Sequence, residues 1–187
     1  MDTYQFYFGF ARQEVISLIS EGDVCAEVGV YKGDFANEML KKNPSKLHLI
    51  DPWKSIGDIP ARWHAASQSK MDSIKSSVTS RFSGNPVVEI SEKFSVDAVE
   101  DFADSYFDFI YIDANHSYEY VKRDLGNWWP KLKSGGFICG NAYQNNEYQV
   151  EVLDFGVVPA VDQFVSDNIS SIKDFRTQVE QYIIEKE

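Results

Sequence analysis

Four short clusters of polar residues in this sequence have the types and spacing that chemistry needs. The first is Glu27-x-Gly29-x-x-x-Gly33, inside DVCAEVGVYKGDF. Val24 to Val28 read as a buried strand that turns on the two glycines into a helix, with Asp34 expected as its N-cap and an end near Lys41. Such a turn brings bare backbone N–H groups close to a ligand. A dinucleotide fingerprint would read G-x-G-x-x-G, and the Glu27 carboxylate sits where a pyrophosphate would want no negative charge. A zwitterionic or cationic ligand suits this loop better than NAD.

The second cluster is Asp51, 22 residues beyond Gly29 at the end of LHLID. One carboxylate there accepts hydrogen bonds from both hydroxyls of a ribose, a better reading beside the glycine loop than a cap on the turn before Pro52. The third is Asp113 with His116, directly after FDFIYI. An Asp closing so apolar a strand faces a cleft, and imidazoles titrate in the range a general base needs. The blander alternatives are a loop-bracing Asp and a capping His. The fourth is Asn141, Ala142 and Tyr143, following GGFICG.

Alternating strands and helices must position these residues. A helix is expected over Ala11 to Ser20, closed by Glu21-Gly22. Leu47 to Ile50 make a second strand, Trp63 to Phe82 a polar helix stopped by Gly84-Asn85-Pro86, and Val87 to Ile90 a third strand. A short helix over Val96 to Phe102 leads to the central strand Phe107 to Ile112. Tyr118 to Trp129 form a helix that Pro130 helps to end, and Gly135-Gly136 turn the chain into strand Phe137 to Gly140. After a polar loop, Gln144 to Glu151, come a helix over Val157 to Ser166 and two strands, Ile172 to Arg176 and Val179 to Ile184. The pattern is a doubly wound α/β sheet with a closing antiparallel hairpin. In such sheets ligands bind beyond the carboxyl ends of the strands, where all four clusters fall.

At 187 residues the chain is expected to form one domain, 1–187, with a sizeable core. A formal charge of −11 argues against nonspecific binding to nucleic acid or anionic membranes. The apolar runs fall far short of a membrane span and MDTYQFYFGF lacks the layout of a signal peptide, so a cytoplasmic protein is expected. Cys25 and Cys139 fall within strands and are read as buried reduced thiols. The aromatics Tyr4, Phe6, Tyr7, Phe8 and Phe10 are read as packing on the core rather than forming a flap, although they would also suit a contact between copies in a homo-oligomer. Phe109, Trp128 and Trp129 are read as core. Trp53, Trp63 and His64 lie in a segment that can cover the cleft, Arg123 and Asp124 read as a surface pair, and Tyr143 either stacks at the acceptor site or packs under the final helix.

AEVGVYKGDF (26–35), LHLIDPW (47–53), FDFIYIDANHSYEYVKRDL (107–125), LKSGGFICGNAY (132–143) and VVPAVDQF (157–164) together resemble the class I S-adenosylmethionine-dependent methyltransferases. The likeness is strongest to small-molecule O-methyltransferases acting on the sugars of macrolide and aminocoumarin antibiotics. It implies a Rossmann-like seven-stranded sheet with an antiparallel C-terminal strand. It also implies that Glu27, Gly29 and Gly33, with Tyr31 in the same loop and Asp113 nearby, hold the methionine part of the cofactor. Asp51 would hold the ribose, and the loop at Phe94 and Ser95 would lie against the adenine.

Methyl transfer is an in-line displacement from a sulfonium, so such an enzyme aligns donor and acceptor and readies the nucleophile. For a small hydroxylated acceptor that means removing a proton, through Asp113 or His116 or through a metal ion. Metal-dependent relatives carry acidic residues where this chain has Asn141 and Ala142, so tight Mg²⁺ binding is not expected. Catalysis without metal, donor binding without turnover, and an engineered Asp-to-Ala change all remain open at this point. A short NAD-dependent oxidoreductase is disfavoured by Glu27 and the glycine spacing.

Overall fold

The computed structural model describes residues 12–55, 67–144, 151 and 154–187. The expectations for Tyr4, Phe6, Tyr7, Phe8, Phe10, Trp63 and His64 lie outside the described residues. In chain order the elements are α1 (Gln13–Ser17), β1 (Val24–Val28), α2 (Asp34–Leu40), β2 (Lys46–Ile50), α3 (Gln68–Phe82), β3 (Val88–Ser91) and α4 (Ser95–Ala98). They continue with β4 (Phe107–Ile112), α5 (Tyr118–Trp128), β5 (Leu132–Gly140), α6 (Val157–Asp167), β6 (Ile172–Gln178) and β7 (Gln181–Lys186).

Among the described residues the strands form one seven-stranded sheet in the order β3-β2-β1-β4-β5-β7-β6. The first five run parallel, and β7 inserts antiparallel to both β5 and β6. Strand order reverses between β1 and β4, so their carboxyl ends open a crevice at the switch point.

Alternation along the strands divides the core between the two faces. Ala26, Val28, Ile110 and Ile112 pack with α5 and α6, through Leu125, Trp128, Val161 and Phe164. Cys25, Leu49, Phe109 and Tyr111 pack on the other face with Val15, Met39, Ile74 and Phe82 from α1 to α3. β4 is buried on both faces, which is why FDFIYI lacks polar alternation. Each fully buried Val, Leu, Ile, Phe or Met among them contributes about 1.5–3 kcal/mol of transfer free energy. α3 is polar overall but buries Met71, Ile74, Val78 and Phe82, a stripe at helical spacing.

Several boundaries differ from the sequence expectation for physical reasons. Asp34 is the first helical residue of α2 and not its cap; Gly33 occupies the cap position at φ 73°. Gly135 and Gly136 lie inside β5, which begins at Leu132. Pairing with β4 jumps from Phe107↔Leu132 to Phe109↔Phe137, so the glycines relieve a bulge. Val179 and Glu180, at φ 32° and 64°, form the two-residue turn before β7 instead of its first residues. The segment after β3 starts at Ser95 and splits into α4 and a 3-10 turn, Val99–Asp101.

Candidate active site at the carboxyl end of the sheet

β1 and β4 pair in parallel with Glu27 beside Tyr111. The two-residue period of a strand therefore sends Glu27, Tyr111 and Asp113 to the same face. Glu27 is 2% exposed, and its Oε2 finds no hydrogen-bond partner among the described residues. Burial pushes its carboxyl well above the ordinary range, against the pull of the Arg12 guanidinium, and Asp113 and Asp51 add to the rise. Beyond it, Gly29 sits at φ 93°, and a Cβ there would lie 2.3 Å from the Asp113 carbonyl oxygen. The β1 and β4 loops thus touch backbone to backbone at a point only glycine allows.

Asp113 ends β4 and is held at both oxygens. Arg12 Nη2 donates to Oδ2 at 2.5 Å, and His116 Nε2 lies 3.1 Å from Oδ1. Burial raises the Asp113 carboxyl, but the Arg12 charge and the His116 contact outweigh it and hold the group below its usual value. The His116 ring packs 4.6 Å from Phe155, and its carbonyl accepts from the Gly156 amide at 2.8 Å. The Asp113 and His116 singled out by sequence are therefore in contact.

Arg12 was missed in the sequence. Its guanidinium lies 4.9 Å from the Phe35 ring centroid and 5.1 Å from that of Tyr111. A signal existed, because Arg12 stands three and seven residues before Val15 and Ile19, a helical spacing that puts it on the side of the segment that is buried.

Asp51 braces the glycine loop. The Val30 and Tyr31 amides donate to its Oδ2 at 2.9 and 2.8 Å, and the Trp53 amide donates to Oδ1 at 2.7 Å. Burial raises this carboxyl, and the backbone donors pull against that rise. Each carboxylate oxygen retains acceptor capacity beyond these bonds. Tyr31 stands at φ 50° with its ring half-buried, and Gly33 is tight against Phe82, 2.9 Å from an added Cβ.

Trp53, in the segment read as able to cover the cleft, is 1% exposed in the core, with Nε1 donating to the Tyr31 carbonyl at 2.9 Å. Phe94 is 40% exposed beyond β3, with Lys54 Nζ 5.7 Å from its ring centroid. The Ser95 hydroxyl turns the other way, donating to Asp124 Oδ1 and accepting from Trp128 Nε1, both at 2.8 Å. Asp124 is accordingly not half of a surface pair: it is 1% exposed, and burial pushes its carboxyl up to about 6. Its spacing between Val121 and Trp128 placed it on the buried stripe of α5. Arg123 instead lies over the Tyr120 ring.

After β5, Asn141 Oδ1 accepts from Gln181 Nε2 at 2.7 Å, and Gln181 Oε1 accepts from the Tyr111 hydroxyl at 2.7 Å. Ala142 is buried in left-handed backbone at φ 61°. Tyr143 packs under α6: its hydroxyl donates to Asp162 at 2.6 Å, and burial together with that bond raises it to about 12. Cys25 and Cys139 are buried free thiols, and Phe109, Trp128 and Trp129 are core. Among the described residues no group of three His, Cys, Asp or Glu side chains is placed to hold a metal ion. No described helix is long and apolar enough to cross a membrane.

A family model described as a methyltransferase domain matches residues 26–143, from the strand bearing Glu27 to the segment after β5. Among solved structures, one from Clostridium thermocellum assigned as an rRNA methylase superposes with TM-score 0.64 at 13% identity, over 96% of this chain and 95% of that one. A Staphylococcus aureus protein assigned as a caffeoyl-CoA O-methyltransferase gives 0.62 at 13% identity, over 100% and 85%. The N-methyltransferase NodS from Bradyrhizobium japonicum gives 0.61 at 9%, over 95% and 94%. At these identities the likenesses establish the fold alone. No curated protein sequence matches the chain.

Proposed function

The chain belongs to the S-adenosylmethionine-dependent methyltransferase family, and from that premise we propose that it methylates a hydroxyl of a small molecule such as a sugar or a secondary metabolite. The observation that carries the donor site is Glu27, whose buried Oε2 lacks a partner among the described residues and is the acceptor an α-ammonium needs. Gly29, having no side chain, lets the loop after β1 pack directly on the Asp113 backbone and so keeps the Glu27 strand close to Asp113. Asp51 receives the ribose hydroxyls on the acceptor capacity left after bracing Val30 and Tyr31. Tyr31, Gly33 and Asp113 complete the wall, and Phe94 offers its exposed ring to the adenine. Ser95 serves that loop by anchoring it to α5, since its hydroxyl is committed there.

Bound S-adenosylmethionine supplies an electrophilic methyl on a sulfonium centre. Everything else falls to the protein. Asp113 holds His116 through Nε2, which leaves the lone pair of the neutral ring on Nδ1. Nδ1 would accept the proton of the acceptor hydroxyl as the hydroxyl oxygen bonds to the methyl carbon and the methyl–sulfur bond breaks, its electron pair leaving with S-adenosylhomocysteine. This reading needs no divalent ion: the Arg12 guanidinium already sets a positive charge on Asp113, Asn141 Oδ1 accepts from Gln181, and Ala142 offers no oxygen beyond its backbone.

Calorimetry with S-adenosylhomocysteine tests the donor site. Wild type should bind it and ignore NADH, and Asp51→Ala should weaken binding roughly tenfold or more. Undiminished affinity in that variant would remove the ribose assignment. Labelled methyl transfer to a panel of hydroxylated acceptors tests the chemistry. Ala142 also favours a second reading, a protein that binds the donor without turnover, which saturable binding with no transfer to any acceptor would support.

A further inference from the structure

Arg12 is an expensive residue to bury. An ionised guanidinium loses several kcal/mol of hydration unless its partners are well placed. Here it caps α1, which is held to the core by the buried Val15 and, just past the helix, Ile19, and it ends on Asp113 Oδ2. Its guanidinium lies over Phe35 and Tyr111, so it approaches along the same face that bears Glu27. Asp113 therefore spans two groups from distant parts of the chain, with Arg12 on one oxygen and His116 on the other. Among the described residues, Arg12 is the buried cation that meets Glu27 and Asp113 at the ends of β1 and β4.

A mere anchor for α1 would need only an apolar side chain among Phe35 and Tyr111. The geometry instead joins Arg12 to the group that the methyl-transfer reading assigns as proton acceptor, with one carboxylate between them. Resting on that reading, we infer that Arg12 is a positioning residue for His116, acting through Asp113, and that it is the resident cation at the end of β4. The guanidinium fixes the Asp113 rotamer, and Asp113 in turn fixes the ring and its tautomer. Its charge also stands where a divalent ion would need an open Asp113 oxygen, so restoring acidic residues at 141 and 142 is not sufficient to create a metal site.

Two measurements test this on the full chain. The first is the imidazole ¹⁵N spectrum of His116 in wild type, Arg12→Lys and Arg12→Met, each checked for native circular dichroism. Arg12→Met should shift both ring nitrogens, and Arg12→Lys should restore most of the wild-type spectrum. An unchanged His116 spectrum in folded Arg12→Met overturns the inference. The second uses Mn²⁺ as the probe. The Asn141→Asp, Ala142→Asp pair should show no saturable Mn²⁺ broadening of His116, and adding Arg12→Met should tighten Mn²⁺ binding by roughly tenfold or more. Equal affinity with and without Arg12 overturns it, as does saturable micromolar Mn²⁺ broadening of His116 in wild type, which decides the matter if the Met variants do not fold. Failure of wild type to bind S-adenosylhomocysteine, with these outcomes intact, would remove the donor reading alone.

Discussion

Glu27 is costly to the folded protein in the absence of ligand. Its carboxyl, raised by burial, makes the fold most stable below the ordinary carboxylate range, and that stability is lost as pH rises toward the folded value. Glu27→Gln should therefore raise the melting temperature, by an amount that widens with pH above the ordinary Glu value, as a thermal unfolding series would report. The same change should cost roughly 1.5–3 kcal/mol of S-adenosylhomocysteine binding, because it removes the counter-charge to the ammonium. Asp124 poses the same question away from the ligand. Held near 6 by burial, it contributes stability below its ordinary value that is lost as pH climbs through about 6. Asp124→Asn keeps an acceptor for Ser95 and should stabilise the protein by on the order of 1–3 kcal/mol above pH 6, with the gain vanishing toward pH 4. A gain that did not depend on pH would contradict this account.

At the level of elements, the site is made by the closeness of β1 and β4. Gly29 permits that contact in two ways, through φ 93° and through the missing side chain that would meet the Asp113 carbonyl. Gly29→Ala must either open the loops or distort β1, and it should cost about 2 kcal/mol or more, lowering the melting temperature by roughly 4–8 °C. Donor-product affinity should fall with it, since the same contact aligns Glu27 with Asp113. A second cross-brace, from Asp51 to the Val30 and Tyr31 amides, ties β2 to this loop, so Asp51 acts on loop shape as well as in the ribose role proposed for it.

For the whole molecule, the proposed donor site lies where the sheet's order reverses, and ligand there should stabilise every element that contributes to it. S-adenosylhomocysteine at one hundred times its dissociation constant should add about 2.7 kcal/mol, a rise of roughly 5–11 °C in melting temperature. NADH should give no rise, and a chelator should leave the S-adenosylhomocysteine shift unchanged. Loss of the shift in chelator would place a metal in the donor site and contradict the roles given to Arg12 and Asp113.

The sequence by itself determined the α/β alternation, the exact span of β1 and β4, and the residues Glu27, Gly29, Asp51, Asp113 and His116 at strand ends. These are local signals: apolar runs, a glycine turn, and polar residues where a run stops. The Val179-Glu180 turn escaped because its left-handed backbone is imposed by the pairing of β6 with β7, without the Asn-Gly that such turns favour. Only tertiary structure could decide which partner each charge meets. Arg12 reaches Asp113 across 101 positions of sequence, and Ser95 reaches Asp124 across 29. Ion pairing and desolvation depend on distance in space, and the stacking of α1 and α5 on opposite faces of the sheet is what sets those distances.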